Sequence, residues 1–255
     1  MDLGLRGRVA LIVGGGRGVG HAVALGLARE GANVAPLSRT AEEVAACAAQ
    51  VGALGVRSLP LVCDAADASA LDAAFASVER ELGIPTLLVL CASAHFAHKK
   101  LHSVDDAEIA KLLSIDIAAQ VGACKRALPG MMEARFGRIV AIGSLAARFG
   151  VPGGTLYGAG KAFLEGMVRG LAIDYTRRGI TANAIASGFV DTERFRQRTA
   201  SDPDSLERLT SATATRRIPS PDELASLVAF LCSEQAGSIT GAVIDFTAGS
   251  HLAHL

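Results

Sequence analysis

Strand-length apolar runs alternate with helix-patterned segments through most of this 255-residue chain, and that alternation limits the fold more than any other feature. The runs are Val9–Val13, Asn33–Leu37, Val56–Val62, Leu87–Cys91, Arg138–Ile142, Thr181–Ala186 and Ala242–Phe246. The first is apolar at every position and bounded by glycine, which calls for cover on both faces of the strand. Helical patterns fall at Val19–Arg29, Ala41–Gln50, Ala68–Leu82, Ala107–Leu113, Val121–Ala134 and Tyr157–Arg177. A last helix opens at the capping box Ser220-Pro221-Asp222-Glu223 and runs to Leu231. Strict alternation predicts an α/β fold, a parallel sheet with helices on both faces and right-handed crossovers. No repeat or low-complexity linker divides the chain, so one domain over residues 1–255 is expected. The polar stretch 193–219 interrupts the rhythm and reads as a lid.

Composition removes several classes of function. Lysine plus arginine (25) balances aspartate plus glutamate (25), so no net field draws the chain to nucleic acid or an anionic membrane. Aromatic residues are 4% with no Trp, which leaves little for base stacking. No apolar stretch reaches the roughly 20 residues that span a bilayer. The apolar core Val9–Val13 is too short for a secretory signal, so a cytoplasmic location is expected. Cys47, Cys63, Cys91, Cys124 and Cys232 are scattered without a C-x-x-C pair and read as buried, reduced thiols. His95, His98 and His102 lack convincing carboxylate partners, so no metal is expected. His251 and His254 read as exposed tail residues or subunit contacts.

The loop after the first strand is Val13-Gly14-Gly15-Gly16-Arg17-Gly18-Val19-Gly20. Glycines there permit a tight turn, close approach of a pyrophosphate to the backbone, and tight packing of the next helix, whose N-terminus favours anions. Gly14, Gly18 and Gly20 give G-x-x-x-G-x-G rather than G-x-G-x-x-G. Where a dinucleotide fold usually carries an acidic residue for the adenine ribose, this chain has Ser38 followed by Arg39. Without that carboxylate a 2′-phosphate is not repelled, and Arg39 and Arg17 are candidates to bind it, so NADPH is expected over NADH.

Tyr157-Gly-Ala-Gly-Lys161 sets a phenol and an ammonium four residues apart on one helix face. A free tyrosine titrates near about 10, and a neighbouring cation stabilises its phenolate. Ser144 follows the strand Arg138–Ile142, at the carboxyl end where open α/β sheets bind ligands. A hydroxyl there can hydrogen-bond a carbonyl oxygen while the tyrosine protonates it and a nicotinamide delivers hydride to carbon.

From about Arg6 to Gly249 the sequence resembles the short-chain dehydrogenase/reductase family, in its compact single-domain branch and near its 3-oxoacyl-[acyl-carrier-protein] reductases. The resemblance rests on the glycine loop, Asp64, Ile142-Gly143-Ser144, Tyr157–Lys161, Asn183-Ala-Ile-Ala-Ser187-Gly188 and Ile239-Thr-Gly-Ala-Val-Ile-Asp-Phe. It implies a Rossmann-type, doubly wound, seven-stranded sheet in a homotetramer. It further implies adenine contacts from Asp64 and Ala65, a backbone contact from Ala92, nicotinamide-ribose binding by Lys161, and contacts at the carboxamide end from Gly188, Val190 and Thr192. Three places depart from the family pattern. Leu90-Cys91-Ala92-Ser93 stands for Asn-Asn-Ala-Gly. Asp116 stands for the active-site Asn, where it is expected to anchor a relay water and pair with Lys161. Ser187-Gly188 stands for Pro-Gly, which is expected to loosen the loop.

The implied reaction is NADPH-dependent reduction of a ketone to a secondary alcohol, with a β-ketoacyl thioester on carrier protein or CoA as candidate substrate. Arg135 and Arg178 are candidate contacts for an acidic acyl carrier protein near the active-site mouth. A secondary-alcohol dehydrogenase, or an NADP-binding sensor or partner subunit without turnover, are the alternatives.

Overall fold

The computed structural model describes residues 2–94, 99–200 and 202–252. Among these, β1 (Val9–Val13), β2 (Asn33–Ser38), β3 (Leu61–Val62), β4 (Pro85–Leu90), β5 (Gly137–Ile142), β6 (Ile180–Ser187) and β7 (Val243–Phe246) form one seven-stranded sheet. Its order is β3-β2-β1-β4-β5-β6-β7, with every pairing parallel. The chain starts in the middle, winds to one edge, then crosses to β4 and winds to the other. The doubly wound Rossmann-type α/β fold is therefore present, with its switch point between β1 and β4.

Period-two alternation divides the core. Leu11, Val13, Leu88 and Leu90 point to the layer of α3 (Ala68–Glu81), α5 (Ala119–Glu133) and α6 (Thr155–Tyr175). Ala10, Ile12, Leu87 and Val89 point to the layer of α1 (Gly18–Arg29), α2 (Ala41–Gly52) and α9 (Pro221–Cys232). Covering both faces is what makes the strands continuously apolar.

Three segments differ from the sequence reading. The expected strand Val56–Val62 shrinks to Leu61–Val62 with an isolated bridge at Ser58, because Pro60 has no N–H to give to the ladder. The gap expected between the fourth and fifth helices is absent. Helix α4 (Asp106–Leu112) passes through a π-helical turn, Leu113–Ala118, directly into α5. The wider turn puts the apolar residues out of phase with a 3.6-residue period, which hid the continuity. The segment 193–219 carries helices α7 (Glu193–Ala200) and α8 (Pro203–Ser211). In α7 only Thr199 is buried, so no apolar stripe marks it as helical.

Candidate active site

A cleft of about 1150 Å³ opens at the carboxyl ends of the strands, around the switch point. Gly14, Gly16, Arg17, Gly18, Val19, Gly20, Ser38, Arg39, Asp64, Ala65, Ala92, Ser144, Tyr157, Lys161, Gly188, Val190 and Thr192 all line it. Of the catalytic and cofactor-binding residues nominated by the sequence, Asp116 alone stands behind the wall.

The glycine loop is built so that only backbone fits. Gly14 has φ +86°, and a Cβ on it would lie 2.7 Å from the Ala92 nitrogen. A Cβ on Gly20 would lie 2.1 Å from the Gly14 carbonyl oxygen, so any side chain there would force the turn apart. Gly14 and Gly15 donate their N–H groups to the Leu37 carbonyl at 2.8 and 3.0 Å, tying the loop to β2. The first turn of α1 leaves N–H groups facing the cleft, the usual cradle for a diphosphate. Ser38 Oγ is buried without a hydrogen-bond partner, where the ribose end of a dinucleotide would provide one. These features fit a bound nicotinamide dinucleotide.

The sequence led us to expect no carboxylate at the corner beside Ser38 and Arg39, but one is present. The first turn of α2 carries Glu43 to the same corner, where its Cβ would be 3.0 Å from a Cβ on Gly16. Its Oε1 lies 3.5 Å from Arg17 Nη1. The carboxylate arrives from the helix beyond β2, not from the end of the strand, where the usual acidic residue of a dinucleotide fold stands. Arg39 is exposed on the cleft wall.

At the opposite end, α6 presents Tyr157 and Lys161 to the cleft. Lys161 is 4% exposed, and its Nζ lies 5.9 Å from the centre of the Tyr157 ring. Its ammonium donates to the Ile142 carbonyl at 3.1 Å, which pins it to the end of β5 beside Ser144. Ser144 Oγ accepts from the Ala146 N–H at 3.2 Å, turning the chain sharply after the strand. The glycines between the tyrosine and the lysine let this assembly close. A Cβ on Gly158 would be 2.6 Å from the Ala146 oxygen, and one on Gly160 would be 3.2 Å from Asp116 Cβ. The sequence reading assigned these glycines no role of their own, and the signal that could have found them is the paired small residues on one helix.

Asp116 occupies the π-helical turn and is 2% exposed. The expected pairing with Lys161 does not form: Oδ1 accepts from Ser93 Oγ at 2.7 Å and Oδ2 from the Ala94 N–H at 2.8 Å. The aspartate therefore anchors the chain after β4, and the hydroxyl it uses belongs to another departure from the family pattern. Gln120, unnoticed in the sequence and fully buried, supports the same segment by donating Nε2 to the Ala92 carbonyl at 2.7 Å. Leu90 joins the apolar core. Ser187 does not loosen its loop; it is the last paired residue of β6, opposite Phe246, and Gly188 N–H donates to the Phe246 carbonyl at 2.9 Å.

Arg135 and Arg178 are misplaced by the sequence reading. Both precede their strands, β5 and β6, and so sit at the amino ends of the sheet. A six-residue strand covers about 20 Å, which separates them from the mouth of their own cleft. His251 is held rather than loose, its Nδ1 2.6 Å from Thr247 Oγ1. His95, His98 and His254 lie outside the described residues, and His102 is exposed. All five cysteines are free thiols, buried except for the partly buried Cys91 on the cleft wall.

A glycine loop at the switch point that faces a serine, a tyrosine and a lysine across one cleft is the arrangement of an NAD(P)-dependent oxidoreductase, and the chain belongs to the short-chain dehydrogenase/reductase family. The family model described as enoyl-(acyl carrier protein) reductase matches residues 14–251. The 3-oxoacyl-[acyl-carrier-protein] reductase FabG of Pseudomonas aeruginosa is 34% identical over 251 residues, covering 98% of this chain and 100% of that protein. Among solved structures, a 3-oxoacyl (acyl-carrier-protein) reductase from Agrobacterium tumefaciens with NADP bound superposes with a TM-score of 0.91 at 31% identity, covering 97% of this chain and 96% of that one. L-Sorbose reductase from Gluconobacter frateurii, complexed with NADPH and L-sorbose, also reaches 0.91, at 26% identity and 98% of each chain. Among the described residues, no helix is long and apolar enough to cross a membrane.

Proposed function

We propose that the chain is an NADPH-dependent ketoreductase that converts a ketone to a secondary alcohol, with a β-ketoacyl thioester as the first substrate to test. The observation that carries the reading is the buried Lys161 ammonium, 5.9 Å from the centre of the Tyr157 ring, on the same cleft wall as Ser144. Gly14, Gly16, Gly18, Val19 and Gly20 would hold the diphosphate, while Ser38, Arg39 and Arg17 would hold the 2′-phosphate end. Asp64, Ala65 and Ala92 would flank the adenosine half, and Gly188, Val190 and Thr192 the carboxamide. Bound NADPH would supply a hydride to the carbonyl carbon. Ser144 Oγ donates a hydrogen bond to the carbonyl oxygen, and Tyr157 gives that oxygen its proton. The Lys161 charge stabilises the negative charge left on the tyrosine oxygen. Asp116 acts one step back, as a positioning residue for the wall at Ser93 and Ala94.

The chain acts as one domain in this reading. The segment 193–219 serves as its substrate-side lid, since Glu193, Arg194, Phe195 and Gln197 of α7 reach the cleft. The exposed apolar side chains Val121 on α5 and Ile173 on α6 support assembly into a homotetramer. The test is NADPH oxidation at 340 nm with acetoacetyl-CoA. Turnover is expected in the wild type and lost in Tyr157→Phe, with NADPH affinity kept in both. A wild type that binds no NADPH would overturn the reading.

A further inference from the structure

The lid segment is rich in arginine, and its cations are not treated alike. Arg196 is paired with Asp191 at 2.8 Å, Arg208 with Asp202 at 2.8 Å, and Arg217 with Glu223 at 2.6 Å. Arg194, on the first turn of α7, has no carboxylate partner among the described residues and lines the cleft that holds Tyr157 and the glycine loop. Partial burial, followed by the like charges of Arg17 and Arg198, pulls its pKa below the ordinary arginine value, and Tyr157 also lies within its field. The carboxylates at hand are committed elsewhere: Glu43 faces Arg17 at 3.5 Å, and Glu193 accepts from Gln197 at 3.1 Å. Arg194 is an exposed side chain on the cleft wall, so its charge is available to an entering anion, and the like charges of Arg17 and Arg198 nearby favour one.

We propose that Arg194 is an oxyanion-binding residue of the cleft, closing the lid onto a phosphate or carboxylate that the cofactor or the substrate carries in. This rests on the ketoreductase reading for the identity of those two molecules. Its place on the cleft wall that also carries Arg17, at the start of α1, and Tyr157 fits two sources. One is the diphosphate of the dinucleotide, and the other is an acidic group on the ketone. Arginine suits either, because its planar fork matches both oxyanions in bidentate geometry.

The direct test is binding of inorganic pyrophosphate by calorimetry to the wild type, Arg194→Gln and Arg194→Lys. Charge-assisted hydrogen bonds of this kind predict affinity about 10- to 100-fold weaker in the glutamine variant and partly restored in the lysine variant. Equal affinity in the wild type and the glutamine variant overturns the proposal. Two further arms identify the source. A parallel loss in NADPH affinity, read by fluorescence titration without substrate, assigns the anion to the cofactor. Unchanged NADPH affinity, with kcat/KM falling for acetoacetate but not for its ethyl ester, assigns it to the substrate. Should the wild type bind no NADPH at all, the ketoreductase reading fails, and the pyrophosphate comparison still decides the role of Arg194.

Discussion

Replacing Asp116 with alanine should destabilise the fold by about 2–4 kcal/mol, a large share of the total stability of a domain. The carboxylate accepts from Ser93 Oγ at 2.7 Å and from Ala94 N–H at 2.8 Å, and Ala94 is itself 2% exposed. Hydrogen bonds to a charged acceptor contribute about 1.5–3 kcal/mol each, so losing two costs about 3–6 kcal/mol. Removing a charge from so buried a site returns part of its desolvation cost, which brings the net loss to about 2–4 kcal/mol. Asparagine separates the two effects. Its amide oxygen can keep the Ala94 bond, and the Ser93 hydroxyl can rotate to accept from the amide nitrogen, for a loss below about 1 kcal/mol. Equilibrium urea unfolding at neutral pH measures both variants, with the midpoint expected to move at constant slope. Ser93 lines the cleft, so turnover should fall in the alanine variant and survive in asparagine. An alanine variant within about 0.5 kcal/mol of the wild type would refute the anchoring role, as would an asparagine variant equally damaged.

The other predictions concern charge and thiols. Glu43→Gln removes the carboxylate from the ribose corner and should tighten NADPH relative to NADH by roughly fivefold, about 1 kcal/mol, measured by fluorescence titration; an unchanged ratio would take Glu43 out of cofactor choice. Arg217 and the Ser220 N–H hold the Glu223 carboxyl at about 2, below its ordinary 4.5. The folded value is the lower one, so this stabilisation of the start of α9 is complete above pH 4.5 and is lost as pH falls towards 2. Thermal midpoints of the wild type and Glu223→Gln should therefore converge over that window, and a constant gap would contradict the assignment. Burial pushes Cys47 up to about 11 and Cys91, Cys124 and Cys232 up to about 12. Ellman's reagent at pH 8 should leave the native thiols largely unreacted and titrate all five after unfolding in guanidinium.

What the sequence made legible is what depends on neighbours along the chain. An unbroken apolar strand, a glycine turn and a helix start are local, so β1, its loop and α1 can be read together, as can tyrosine and lysine one helical turn apart. The positions of Ser144, Asp64 and Thr192 follow because strand ends converge on one edge of a parallel sheet. The remaining features depend on contacts between distant residues. The serine that satisfies Asp116 comes 23 residues earlier and Gln120 reaches back 28, so the two departures near Ser93 and Asp116 look like separate losses until they are seen bonded to each other. Arg135 and Arg178 show the opposite error. A basic residue beside a strand that leads to the active site seems near it, yet the strand's own length carries the charge to the far end of the sheet. Glu43 and Arg194 belong to helices whose exposed faces carry no periodic signal for direction. Only the folded sheet brings both to the cleft, one as a carboxylate beside Arg17 and the other as an arginine with no carboxylate partner among the described residues. Motif spacing thus located the serine, tyrosine and lysine of the cleft, while Glu43 and Arg194 lie outside every motif.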